Sequence, residues 1–508
     1  MLFNSPVFLF AFLPAVLLVY ALLLHRRVGA RTIFGFLAGA SLVFYSWWNP
    51  AYTPLIVASV LFNFALGRMI HARWGQARRL LTTLGVTANL AALGWFKYAG
   101  FFAQISNDLA GTQLEILVPA LPLAISFYTF QQISFLVDIH QDKTVPPAFW
   151  DYCAYVLFFP QLIAGPIVHH RTFFRQHSAL FRSEGLSSDI QIGLSIFVIG
   201  LFKKLVIADN LALHATPVFA AADAGEPLHA LQAWRGLAAY TLQIYFDFSG
   251  YSDMAIGLGR CFGIRLPVNF NSPYRAASII EFWRCWHITL SNFLRDYLYI
   301  PLGGNRHGRL RRYLNLFLTM LIGGLWHGAS WSFVFWGALH GLYLIINHAW
   351  QKLIGLRLPL WLGRVLTILA VMLAWVFFRA ETFDGALHLL RAFLVIPIEA
   401  PAAEFAQLQA WGFGLMETKI VSDDELYLWL FPLLLYLCWR LPNTQQIFAQ
   451  TRPTAESMDQ PSTLTPRQQA TGRLLWQPSR GWGLFIGLAA AACLLSLQRI
   501  SEFLYFQF

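Results

Sequence analysis

The sequence predicts an all-α, polytopic integral membrane protein. Three observations carry that expectation. Apolar residues make up 57% of 508 positions. Charged residues make up only 12%, against about 25% in a soluble domain. The apolar residues also fall in continuous runs rather than in strict alternation, and in lipid only helices and closed barrels satisfy their own backbone. Continuous runs therefore predict helices.

A helix needs about 20 mainly apolar residues to cross a hydrocarbon core about 30 Å thick. In chain order the clearest candidates are 6–24, 53–67, 80–96, 115–137, 187–207, 232–248, 313–326, 329–349, 359–378, 426–439 and 482–497. Counting short or re-entrant pieces, about eleven to thirteen helices are expected. The first run is too long for a signal-peptide core, has no basic segment before it, and ends at His25-Arg26-Arg27 and Arg31. It reads as a retained helix whose C-terminal end is cytoplasmic.

By the same positive-inside reasoning, Arg68 to Arg79, Arg171 to Arg182, Lys203-Lys204, Arg306 to Arg312 and Arg473 to Arg480 fall on the cytoplasmic side. Acidic Asp423, Asp424 and Glu425 mark an outer loop. Between 262 and 312, Pro, Asn, Trp and Arg are mixed, which predicts amphipathic interfacial helices rather than a span.

Three regions follow. Residues 1–441 form a membrane domain with a catalytic segment at 243–345, and 442–480 is a polar cytoplasmic loop too poor in apolar residues to build a core. Residues 481–508 carry a final transmembrane helix and an aromatic tail. The net charge of +11 reports loop bias and attraction to anionic headgroups of the bilayer, not nucleic acid. Cys153, Cys261, Cys285, Cys438 and Cys493 show no CxxC spacing, so neither disulfides nor a metal site is expected. No internal repeat of the kind common in transporters is visible.

Residues able to do chemistry concentrate between 243 and 340. Asp247, Ser249 and Asp253 lie at the end of one apolar run; Asn269, Arg284, His287, Arg295 and Arg306 follow. His327 then sits in Gly-Gly-Leu-Trp-His-Gly-Ala-Ser-Trp, between apolar stretches, and His340 comes after it. An ionisable side chain at membrane depth carries a solvation cost and is a functional candidate by default. A base within hydrogen-bond reach of a hydroxyl, a poor nucleophile by itself, helps it attack an ester or thioester.

The strings YFDFSGYSDMAIGLG, FWRCWHITLSNFLRDYLYIPLGGNR and GGLWHGASWSFVFWG resemble the hallmark segments of the membrane-bound O-acyltransferase (MBOAT) superfamily, in its bacterial alginate and polysaccharide O-acetylation branch. Supporting segments are ISFYTFQQISFLVD, FFPQLIAGPI and FKKLVIADN, and the likeness runs from Met1 to Phe508. Two positions depart from the pattern: Cys285 stands where a second Arg is usual, and His169 where Arg is common.

The resemblance implies a multi-pass protein of the bacterial inner membrane. It would pass acetyl from cytoplasmic acetyl-CoA, a substrate rather than a resident cofactor, through a tunnel to an acceptor on the periplasmic side. An extracellular polysaccharide is the implied final acceptor. A periplasmic acetyltransferase partner is expected to complete transfer, since no large outer domain with its own nucleophile is evident. His327 matches the family's catalytic histidine and His287 its supporting polar position. Asp247, Ser249, Asp253, Asn269 and Trp326 are expected to support the tunnel, the two aspartates as helix-pairing groups rather than catalysts. Arg284, Arg295 and Arg306 are expected to meet CoA phosphates through charge-assisted bonds.

The tail Phe503-Leu504-Tyr505-Phe506-Gln507-Phe508 resembles aromatic endings in this family. Tyr505 is read either as an acyl relay, because a phenol of pKa near 10 gives a reactive ester, or as an aromatic anchor at the interface. The rival function from another class is a transporter or flippase of a lipid-linked glycan, with no covalent step.

Overall fold

The computed structural model describes residues 1–114, 120–176, 185–356, 358–395, 423–458, 474–497 and 504. Every predicted run contains helix among its described residues, although in the run 115–137 the helix begins only at Ile125, and among the described residues there is no strand. The helices Phe8–His25, Pro50–His71, Leu186–Asp223 and Leu360–Arg379 are long and apolar enough to cross a membrane. The remaining runs are shorter or carry polar residues, because much of their surface meets protein rather than lipid. Polar groups at membrane depth are tolerated on such faces. The helices Ala30–Ser46, Ala99–Ala110 and Phe149–Leu157 were not among the predicted runs. Gly and Ser, or Gln, Asn and Asp, dilute the first two, and the third has only nine residues.

The centre is the 32-residue helix Ala230–Cys261, roughly 48 Å long at 1.5 Å per residue. It is buried without interruption from Ala239 to Cys261. Leu186–Phe202 packs along it through paired glycines. A Cβ on Gly193 would sit 2.5 Å from the Gly257 carbonyl oxygen, and one on Gly200 2.5 Å from that of Gly250. Without side chains at these points the two backbones approach closely, as small residues allow in membrane helices. Lys204 then reaches Asp247 at 2.6 Å and Asp209 at 2.7 Å, while Lys203 reaches Asp253 at 2.6 Å.

These lysines, counted by charge toward the cytoplasmic side, lie in a π-helical turn, Lys203–Ala208, inside a nearly continuous helix, and Lys204 is 2% exposed. Charge counting registers a lysine pair but not the carboxylates opposite it.

A second close pair holds the segment that carries His327. Gly308–His327 crosses Trp331–Leu353 where a Cβ on Gly324 would lie 2.9 Å from the Gly337 Cα and also meet the Phe333 carbonyl oxygen. Short helices, Ile279–Cys285 and Ile288–Leu294, occupy the predicted interfacial region and bury Phe282, Thr289, Leu290, Phe293 and Leu294. The polar stretch after 442 is not all free loop. Asn443 caps the turn Thr444–Ile447, Phe448 is fully buried, and its ring stacks on Trp476 at 5.4 Å.

Candidate active site

His287 is placed by a break between two short helices. Ile279–Cys285 begins at Ser278, whose hydroxyl accepts the Glu281 N–H at 3.2 Å. Trp286 then adopts extended backbone, and His287 takes the left-handed region at φ 43° before Ile288–Leu294 starts. A residue bearing a Cβ costs about 1–3 kcal/mol there, and such strain collects at functional sites. The result is an imidazole turned inward and 1% exposed.

Asn269 fixes that ring. Its Oδ1 lies 3.0 Å from His287 Nδ1 and also accepts from the Thr289 hydroxyl at 2.9 Å and the Thr289 N–H at 3.3 Å. Its Nδ2 donates to the Ser252 hydroxyl at 3.2 Å. With Oδ1 an acceptor, Nδ1 of His287 carries the proton, so Nε2 presents a lone pair. Nε2 is buried and has no hydrogen-bond partner among the described residues.

His327 ends the helix Gly308–His327, and the chain leaves at Gly328 in extended conformation. Its ring is 6.4 Å from that of His287 between centroids. Trp326, Trp336 and Phe378 box it edge-on at 5.0, 5.2 and 5.2 Å. Its Nδ1 is buried and, among the described residues, unpartnered. Two imidazole nitrogens, without protein partners among the described residues, thus lie in an aromatic enclosure, where an unmade hydrogen bond is costly unless a ligand completes it. His340 lies beside the same enclosure, 4.8 Å from the Trp336 ring, and accepts the Trp283 indole N–H at 3.2 Å on Nδ1.

Two cavities reach residues bonded to this pair, though neither is lined by the imidazoles themselves. One of about 530 Å³ is lined by His169, Thr172, Arg175, Gln176, Thr289, Asn292 and Glu456, among others. Thr289 and Asn269 relay it to His287. The other, about 330 Å³, is lined by Trp48, Lys97, residues 121–127 and Ile163. Lys97 links that cavity to His327, donating to its carbonyl oxygen at 2.9 Å.

Of the residues expected at the site, the structure brings together His327, His287, Asn269 and Trp326. Ser249 is buried nearby in the central helix, its hydroxyl unpartnered among the described residues. Asp247 and Asp253 are occupied as helix-pairing groups by Lys204 and Lys203. Arg284, Arg295 and Arg306 are exposed, and Arg295 pairs with its neighbour Asp296 at 2.7 Å. The arginine that does line the larger cavity is Arg175. Tyr505 lies outside the described residues; its neighbour Leu504 is 4% exposed and its backbone N–H bonds Asp247. Sequence reasoning passed over Thr289, Trp336, Phe378 and Lys97, which reach the site only through tertiary packing.

Asn269→Leu is expected to lower turnover on the order of 10²-fold, less than the ~10⁴-fold lost when a charged orienting partner leaves a Ser-His-Asp triad. The drop should appear in kcat with KM nearly unchanged, in a steady-state turnover assay. Unchanged kcat would mean that the ring needs no such orientation.

Over 422 residues the chain is 45% identical to a peptidoglycan O-acetyltransferase of Helicobacter pylori, covering 77% of this chain and 79% of that one. It is 39% identical to a probable alginate O-acetylase of Pseudomonas aeruginosa, over 100% of both chains. A teichoic acid D-alanyltransferase of Streptococcus thermophilus is more distant, at 27% identity over 45% of this chain and 57% of that one. Residues 61–382, which hold both histidines and Asn269, match the membrane-bound O-acyltransferase family. A multi-helical membrane scaffold, a paired-histidine enclosure and this match agree: the chain belongs to the membrane-bound O-acyltransferase family and is an O-acyltransferase.

Proposed function

We propose that the protein passes acetyl groups from cytoplasmic acetyl-CoA to an acceptor on the outer face of a bacterial inner membrane, for O-acetylation of an extracellular, alginate-like polysaccharide. The observation that carries this reading is the pair of buried histidines, 6.4 Å apart, one joined through Asn269 to a cavity residue, Thr289, and the other bonded at its carbonyl by Lys97, which lines a second cavity. In this reading the acceptor hydroxyl oxygen attacks the thioester carbonyl as His327 takes its proton. The tetrahedral intermediate collapses, the C–S bond breaks, and the proton passes to sulfur. An acetyl ester and CoA thiol result, so the atoms balance. His287 serves as the supporting polar group, its Nε2 free to accept a hydrogen bond from elsewhere on the incoming substrate.

The larger cavity suits the donor. It is lined by Arg175, inside the basic segment that charge bias assigns to the cytoplasm, and Arg175 rather than Arg284, Arg295 or Arg306 would meet the CoA phosphates. The smaller cavity suits the acceptor. Trp48 follows the helix Ala30–Ser46, whose start adjoins the basic His25-Arg26-Arg27, so its far end points outward. A periplasmic partner protein would carry the acetyl group onward to the polymer.

Purified protein in lipid nanodiscs, given acetyl-CoA and a soluble hydroxyl acceptor, should release free CoA in a His327-dependent manner. Movement of intact glycan without CoA release would establish the transporter instead.

Within this reading Tyr505 serves as an acyl relay. Mass spectrometry of the C-terminal peptide, after acetyl-CoA exposure in an acceptor-free sample, should show one acetyl on Tyr505. An unmodified peptide would leave the tail as an interfacial anchor.

A further inference from the structure

The helix carrying His327 ends in an unusual way. The last four carbonyls of any helix lack partners within it, and they are often met by backbone N–H groups of a left-handed cap. Here the chain leaves extended at Gly328, with φ −158° and ψ 151°. The donors come from elsewhere. Lys97 Nζ donates to the Trp326 carbonyl at 2.6 Å and the His327 carbonyl at 2.9 Å, and the Tyr98 hydroxyl donates to that of Leu325 at 2.9 Å. Three consecutive carbonyls of the final turn are thus held by two adjacent side chains, some 230 residues away in sequence.

Both belong to a π-helical turn, Gly94–Tyr98, between the helices Gly75–Leu93 and Ala99–Ala110. π-Turns are rare and cluster at functional sites. The ammonium also lies 5.9 Å from the centre of the Trp326 ring, a cation–π approach, and that ring stacks on Phe130 at 5.0 Å. A cation at the negative end of a helix is favourable in itself. Its partners here are the backbone on which the imidazole is mounted.

We propose that Lys97 is a positioning residue for acyl transfer: with Tyr98 it clamps the last turn of the His327 helix and so sets the angle and depth of the imidazole. The inference rests on the reading of His327 as the base. Lys97 acts through the backbone, and a displacement of about 1 Å at a reacting group can cost 10²-fold in rate.

The smaller cavity supplies the test, because Lys97 lines it. Lys97→Ala would open the ammonium's place to small solutes from that cavity. The variants Lys97→Ala, Lys97→Met, Lys97→Arg and Tyr98→Phe would be compared in nanodiscs by steady-state CoA release, with and without millimolar ethylammonium. Lys97→Ala is expected to lose about 10²-fold in kcat while KM for acetyl-CoA stays within about twofold, since the donor cavity is lined by other residues. Ethylammonium should restore about tenfold of the loss by replacing the missing cation. Lys97→Met, whose side chain fills the space without donors, should lose as much and not respond. Lys97→Arg should keep most of the activity.

Wild-type kcat in Lys97→Met, or a loss confined to KM, would overturn the proposal. If Lys97→Ala does not survive purification, the Met and Arg variants still decide it, since a purely space-filling role favours Met and a clamping role Arg. His327→Ala assayed alongside separates the two levels. Activity surviving in His327→Ala removes the base and the clamp together, whereas its loss with an unaffected Lys97→Met removes only the clamp.

Discussion

His327→Ala is expected to reduce acetyl transfer by about 10³-fold, within the range a general base contributes. The measurement is CoA release from acetyl-CoA by purified protein, with melting temperature as a control. Alanine leaves a void among Trp326, Trp336 and Phe378, so some lost stability is expected from the cavity alone. His327→Gln fills more of that space and should lose activity to the same degree with less change in stability. That comparison separates chemistry from packing. If the two imidazoles act as one unit, the His287→Ala/His327→Ala double variant should be little worse than His327→Ala alone, because groups that work together are strongly non-additive. Retention of a tenth or more of wild-type turnover in both single His327 variants would remove this residue from the chemistry.

Lys204→Met is expected to destabilise the protein by about 3–5 kcal/mol, the usual consequence of removing one partner from a buried ion pair. The lysine is 2% exposed and faces Asp247, also 2% exposed, as well as Asp209. Methionine fills the volume but strands the carboxylates at membrane depth. The double variant Lys204→Met/Asp247→Leu should recover a large part of that loss, because replacing a buried pair by apolar residues is often near neutral. Melting temperature and monodisperse yield in detergent are the measurements. A single variant as stable as wild type would show that the pair contributes nothing. Asp247 also accepts the Leu504 N–H, so the double variant should be less active than its stability implies if the tail takes part in transfer.

Much of this architecture was legible because membrane helices announce themselves by composition. The runs at 232–248 and 313–326 led directly to the helices Ala230–Cys261 and Gly308–His327. His327 was legible for the same reason in reverse, as a titratable group where lipid-depth sequence has few. Asn269 and His287 were named in the right segment, but their hydrogen bond joins two separate loops and is a tertiary fact. The arginines illustrate the limit. Arg284, Arg295 and Arg306 were named for their nearness to the histidines in sequence, while Arg175, more than a hundred positions upstream and equally exposed, lines a cavity only through tertiary packing. The pairing of Lys203 and Lys204 was not legible, because their partners, on the next helix, are invisible to a count of positive charges.

The π-turn at Gly94–Tyr98 puts a phase slip into its helix. One extra residue per turn advances the side-chain wheel by about 100°, so the segments before and after it present differently numbered stripes to the same neighbours. A lysine that regular winding would aim elsewhere is thereby rotated onto another helix's end. Apolar periodicity read across such a point goes out of step, and that dislocation is itself a signal. Where a membrane helix loses its rhythm for five residues and then resumes it, the residue inside the gap is the one to examine for a task.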